Sequence, residues 1–209
     1  DIIFNIKNAN IYYWEYNAAL SNRGVLLSSL TNARAVPNKT SKSMFAPSGH
    51  LLALGAQEYS RVLTAGYSIS SITRAGTTAT VTTGSAHGLV VGDWVYLSGQ
   101  APAVYQGEVQ VRTVPTTTTF TYDIPYDPGS SATTVGTYQK VDYSTGAYDP
   151  LLIRWANVNT DIGPQPEEWK PEITNSAGFL RVKQGSKVVT GIITRQEVLV
   201  FTETALTTL

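Results

Sequence analysis

The sequence predicts an all-β fold, and three features carry that expectation. The chain of 209 residues holds 27 threonines and 12 tyrosines beside frequent valine and isoleucine, and β-branched and aromatic side chains suit a pleated, half-buried surface. Its 17 glycines and 10 prolines fall about every ten residues, the rhythm of tight turns between short strands. No window sustains a 3.6-residue apolar period. The one stretch that tempts a helix assignment, residues 25–30, is too short to form one alone.

In chain order, Ile11-Tyr12-Tyr13-Trp14-Glu15-Tyr16 reads as a strand, followed by turn-rich sequence around Asn22-Arg23-Gly24 and Pro37-Asn38-Lys39. Pro47-Ser48-Gly49-His50 turns the chain into Leu51-Leu52-Ala53-Leu54-Gly55, an uninterrupted apolar run that predicts a strand buried on both faces. The pattern changes near Tyr67. Residues 68–74 alternate apolar with polar, Gly76 turns them, and residues 78–83 run back as the second arm of a hairpin.

Within this middle region Ala86-His87-Gly88-Leu89 precedes Gly92-Asp93-Trp94-Val95-Tyr96-Leu97-Ser98-Gly99, in which Asp93, Val95 and Leu97 alternate with Trp94, Tyr96 and Ser98 between two glycines. Further strands are expected over residues 107–114, 119–124 and 136–141. Some six short strands in about 75 residues predict a small barrel or sandwich with its own core. After Asp142 the pattern of the first 66 residues returns. Pro150-Leu151-Leu152-Ile153-Arg154-Trp155 reads as a buried strand, and residues 178–182, 188–194 and 197–202 read as three consecutive antiparallel strands, a meander of the kind that builds a propeller blade. The expected organisation is therefore 1–66 and 142–209 as propeller-like sheets, with 67–141 inserted as a separate β-module.

Fifteen basic and fifteen acidic residues cancel, and only 14% of the chain is charged, which argues against a phosphate-gripping face. Cysteine is absent, excluding disulfides and thiolate metal sites. No apolar run reaches the roughly 18 to 20 residues of a membrane span. The sequence lacks an initial Met and stops soon after an apolar run, so it reads as part of a longer polypeptide.

Chemistry is sparse. The two histidines, His50 and His87, sit in turn sequence without a metal-ligating neighbour at suitable spacing. Ser48-Gly49-His50 lacks the flanking glycine of a nucleophile elbow. Asp142, Asp149, Asp161, Glu167 and Glu168 are the carboxylates from which a catalytic pair would have to come, and Glu167-Glu168 reads as a solvated loop. Four residues of the module, His87, Gly88, Gly92 and Asp93, read as turn and packing positions. Trp155 and Trp169 are expected in sheet cores or junctions, the alternative being a ligand-stacking face. Asn175, Gly178, Gly185 and Ser186 suit tight turns. Tyr105, Tyr122, Tyr126 and Tyr138 divide between module core and interface anchors. No catalytic residue, metal or cofactor is assigned.

Asp149-Pro150-Leu151-Leu152-Ile153-Arg154-Trp155, Trp169-Lys170-Pro171, Thr174-Asn175-Ser176-Ala177-Gly178, Gly185-Ser186 and Arg195-Gln196-Glu197-Val198-Leu199-Val200-Phe201-Thr202, in that order, resemble the tail nozzle or hub proteins of short-tailed bacteriophages. The resemblance covers about the last 60 residues and, more loosely, 10–55, while the 86–99 region looks like the small β-domains inserted in phage tail and collar proteins. It implies a non-enzymatic structural protein of the virion tail, with blade-like sheets, copies of itself in a ring, and other tail proteins (adaptor, fibres or needle) as partners. DNA would pass through the channel without specific binding. A tail-fibre or spike module that recognises a host-surface glycan is the alternative, and a propeller-based glycan hydrolase would need positioned carboxylates. With the module removed, roughly 135 residues remain, enough for two or three blades but too few for a closed ring, so open sheet edges are expected.

Overall fold

The structure, a computed structural model, describes residues 2–16, 18–19, 21–158 and 168–209. Its regular elements are antiparallel strands and two single 3-10 turns, Leu27–Ser29 and Ala103–Tyr105. The all-β class is thus observed. Residues 25–30 form a two-residue strand followed by the first of those turns.

The chain divides into two compact units. One combines residues 1–60 with 143–209, and the other is the continuous segment Arg61–Asp142. The first unit begins with β1 (Ile2–Asn5), β2 (Ile11–Trp14), β3 (Val25–Leu26), β4 (Thr40–Phe45) and β5 (Leu51–Gln57). The continuous unit holds β6 (Val62–Leu63), β7 (Tyr67–Ala75), β8 (Thr78–Thr83), β9 (Trp94–Ser98), β10 (Gly107–Gln110), β11 (Thr113–Thr116), β12 (Thr119–Asp123) and β13 (Thr137–Asp142). The first unit then resumes with β14 (Tyr148–Trp155), β15 (Gly178–Arg181), β16 (Val188–Ile193), β17 (Val198–Thr202) and β18 (Leu206–Thr208).

Three sheets build the first unit, in the orders β1-β2-β3, β15-β14-β5-β4 and β16-β17-β18. β5 is buried along its whole length, as its continuous apolar run demands, because successive side chains feed two cores. Leu51 and Ala53 join Ile11, Tyr13, Leu27 and Trp169 in one cluster. Leu52 and Leu54 join Ile153, Val188, Val198 and Val200 in the other. Ala56 falls back into the first cluster, one step out of alternation, because the strand is bulged: Gly55 has φ +57° and the β5–β14 register shifts between Asp149 and Ile153. Pro150 sits in that interruption, where its missing N–H costs no ladder bond. Gly191 lets β16 approach closely, since a Cβ there would lie 2.6 Å from the Met44 sulfur and 2.7 Å from Leu54.

The sequence-based meander of residues 178–202 is not formed as expected. β15 pairs with β14, through Trp155 opposite Gly178 and Leu152 opposite Arg181, while β16 pairs with β17 and β17 with β18. The turn between β15 and β16 is tied to the end of β17 instead. Gly185 has φ +98° with Thr202 2.6 Å from where its Cβ would be, and the Ser186 hydroxyl donates to Glu203 at 2.5 Å.

In the continuous unit the strands follow the path β10-β9-β13-β7-β8-β12-β11, and β6 pairs with β13. That last pairing sets Val62 opposite Asp142, so the ends of the segment lie side by side and Arg61, rather than Tyr67, opens the unit. The single strand expected over 107–114 is two: after pairing with β9, the chain crosses at Val111 and Arg112, whose N–H groups donate to Asp93 and Thr121, and then pairs with β12. β10 and β11 do not pair with each other, so the sheet is not a closed barrel. Its core holds Ile72, Val81, Val95, Leu97 and Phe120. Tyr105, Tyr122 and Tyr138 belong to the same core, whereas Tyr126 is exposed.

A buried cation ties the first unit together. Arg154, 1% exposed, follows Ile153 on β14 and therefore faces the opposite core. Its Nη2 donates to the carbonyls of Ala35 (2.7 Å) and Trp169 (3.0 Å), and Nη1 to Gln57 (3.3 Å). The guanidinium lies 5.8 Å from the Tyr59 ring and 6.0 Å from Trp169, and the buried Nε has no partner among the described residues. Burial pushes its pKa down to about 10, which leaves it charged at neutral pH. Arg154→Ala is expected to strand three carbonyls and cost about 3 kcal/mol or more, measured as a lowered urea midpoint. Arg154→Lys should recover only part, because one ammonium lacks the planar fork.

Candidate functional site

The turn between β4 and β5 is closed by hydrogen bonds from Ala46 N–H to the His50 carbonyl (2.8 Å) and from Gly49 N–H to the Ala46 carbonyl (3.0 Å). Gly49, at φ +85°, supplies the left-handed step that a side chain would resist. The turn forms one side of a cavity of about 510 Å³, completed by Leu52, Trp155, Ser176, Gln196 and Leu209. Most of its lining is apolar, and its polar groups are hydroxyl, imidazole and amide.

Those groups are wired in one direction. The Ser176 hydroxyl donates to Asn157 Oδ1 at 2.8 Å and also accepts from Val158 N–H at 3.1 Å. Its 3.1 Å contact with His50 Nε2 must then be donated by the imidazole, which places the proton on Nε2 and leaves Nδ1 to accept from the Ser48 hydroxyl at 2.8 Å. Burial lowers the His50 pKa, favouring this neutral ring. Trp155 is set by its own partners: the indole N–H donates to the Ser176 carbonyl at 2.7 Å, and a Cβ at Gly178 would stand 2.6 Å from the ring. Gly178 therefore opens a strand against an indole and does not make a turn.

An indole beside hydroxyl, imidazole and amide groups suits a ligand with both a flat apolar face and hydroxyls. No Asp or Glu side chain is among the described residues lining the cavity, and no His, Cys, Asp or Glu cluster among the described residues could hold a metal.

Of the positions singled out from sequence, Trp155, Ser48 and His50 line this cavity, with Gly178 behind the indole. Trp169 is fully buried and Arg154 holds its carbonyl. Asn175 staples a loop: its Oδ1 accepts from Glu172 and Ala177 N–H, and its Nδ2 donates to the Lys170 carbonyl at 2.9 Å. Gly185 and Ser186 form the turn packed on Thr202 and Glu203, where hydrogen bonds from Ser186 and Lys187 hold the Glu203 carboxyl down to about 2.

In the other unit, His87 Nδ1 accepts from Leu89 N–H at 2.9 Å and its ring meets Phe120 edge-on at 5.5 Å. Gly88 and Gly92 have φ +65° and +93°. Asp93 Oδ2 accepts from Val90 N–H at 3.0 Å and from Lys140 at 2.8 Å. All four serve turns and packing.

Glu168 is not a solvated loop residue: it pairs with Arg34 at 2.5 Å and is half-buried. Burial works against the Arg34 charge, but the Glu168 hydrogen bond and the charges of Glu168 and Glu172 hold its pKa above the ordinary value. Asp161 and Glu167 lie outside the described residues. His50 was visible as a turn residue, but its partner Ser176 stands 126 positions away, beyond the reach of any local pattern.

A scan against protein-family models found no match, and a search of curated proteins found none either.

His50 is expected to titrate below its ordinary 6.5. With the folded pKa depressed, its contribution to stability is complete above about pH 6.5 and is lost as pH falls through the folded value. Nitrogen shifts at neutral pH should report a protonated Nε2 and a bare Nδ1, and the Cε1 proton should give the lowered midpoint.

Proposed function

We propose that this chain is a structural component of a short-tailed phage tail, with its antiparallel sheets acting as blade-like walls of a nozzle or hub. Copies of the chain would form a ring, other tail proteins (adaptor, fibres or needle) would dock on it, and DNA would pass without being gripped. The observation that carries this reading is the number of large apolar side chains left exposed on strands of two sheets: Phe179 on β15, Val189, Ile192 and Ile193 on β16, and Leu206 on β18, each at least half exposed. Such surface is costly in water and favours association. The balanced charge fits a wall that a polyanion slides past.

Expressed alone, the chain is expected to associate, and Val189→Lys with Ile193→Lys should shift it toward monomer in sedimentation velocity. A monodisperse, cooperatively melting monomer that is indifferent to both substitutions would remove the main support.

The Trp155 cavity favours a second reading, a tail-fibre or spike module that recognises a host-surface glycan. In that case neutral oligosaccharides should quench tryptophan fluorescence saturably, and Trp155→Ala should abolish the response. No saturable response in the parent chain would sink it.

A further inference from the structure

The first unit contains another cavity, of about 500 Å³, whose lining includes Lys7, Lys42 and Lys187. Among the described residues, neither Lys7 nor Lys42 has an ion-pair partner. Lys42 Nζ donates to two neutral acceptors, Thr190 Oγ1 (2.9 Å) and the Gly191 carbonyl (3.1 Å), which leaves one of its three N–H groups free. Lys187 shares Glu203 at 3.1 Å, and that carboxylate is also engaged by Ser186. The carboxylate nearest in sequence to the lining residue Pro150 is Asp149, and it is occupied by Arg181 at 2.6 Å and by Leu151 N–H at 2.8 Å. Two positive charges thus stand unbalanced at one concavity of a chain with no net charge.

The neutral groups of the same cavity are arranged to the same effect. Asn8, held at φ +59°, has its Oδ1 2.9 Å from the Ser41 hydroxyl and 3.1 Å from the Tyr148 hydroxyl; these hydroxyls meet each other at 2.5 Å, so one donates to the other and the second donates to Oδ1. Its acceptor is therefore used, and the amide NH₂ is what it has left to offer. Lysine ammoniums and an amide are all donors, so a ligand must bring acceptors and negative charge. Leu54, Pro150, Val188 and Val189 supply an apolar wall for the body that carries the anion.

We propose that this cavity binds the oxyanion group of a small ligand, a phosphate, sulfate or carboxylate, between Lys7, Lys42 and the Asn8 amide. The site is separate from the Trp155 cavity and does not depend on the tail reading.

The test is an NMR titration of the full chain with inorganic phosphate, glucose 6-phosphate, glucuronate and glucose, following the lysine Cε and Tyr148 ring signals. Saturable shifts from at least one anion and none from glucose are expected, weakening as salt rises. The preferred anion distinguishes a phosphate-type from a carboxylate ligand. Lys42→Gln should weaken binding about tenfold and Lys42→Arg should retain most of it. Lys7→Gln, at an exposed position, provides a second loss variant should Lys42→Gln disturb the fold. The proposal is overturned if no anion gives saturable shifts, if glucose shifts the same signals equally, or if both glutamine variants bind like the parent chain.

Discussion

The Arg154 guanidinium is the constraint around which the first unit is arranged. Removing a cation from water is expensive, and no carboxylate among the described residues compensates this one. What does is geometry: carbonyls from three separate stretches of chain, at Ala35, Gln57 and Trp169, and two aromatic rings at its flanks. Ala35 and Trp169 lie in connections outside the strands and Gln57 ends β5, so charge and backbone satisfy each other where the sheet gives way to loop. In a chain without cysteine, this is how irregular connections are fastened to a sheet.

The same strand carries both cavities. β14 presents Trp155 to one, immediately after Arg154, while Tyr148 and Pro150 at its other end line the second. β5 pairs with it on both sides of the bulge and offers Leu52 and Leu54 to the respective linings. Side chains held on paired strands between two cores have little freedom, and a site built on them is correspondingly preorganised. The exposed apolar side chains of β15, β16 and β18 lie outside that central pair.

Local sequence revealed what local physics decides. The run Leu51-Leu52-Ala53-Leu54 announced a strand buried on both faces because no other placement hides four consecutive apolar side chains. The β7–β8 hairpin was equally legible, since Gly76 marks its turn. Partner choice was hidden. β15 follows sequence order closely enough to suggest pairing with β16, yet the fit of Gly178 under the Trp155 indole and the anchoring of Gly185 on Thr202 send the two strands to different sheets. Glu168 looked solvated because its cation is Arg34, far away in sequence. Ser48 and His50 gave half of a hydrogen-bonded chain whose other half, Ser176 and Asn157, lies beyond a hundred residues. The donor-rich cavity likewise draws its lysines from three distant segments, none basic enough to stand out.

The crossing at Val111 and Arg112 has a consequence for how the continuous unit finds its register. One uninterrupted stretch of chain pairs with β9 on one side of the crossing and with β12 on the other. A slip of one residue in either pairing would turn core side chains outward, and because the two pairings share a single short segment, neither can drift while the other stays fixed. Misalignment at one end of the sheet path is thus penalised at both, a form of proofreading supplied by chain continuity alone.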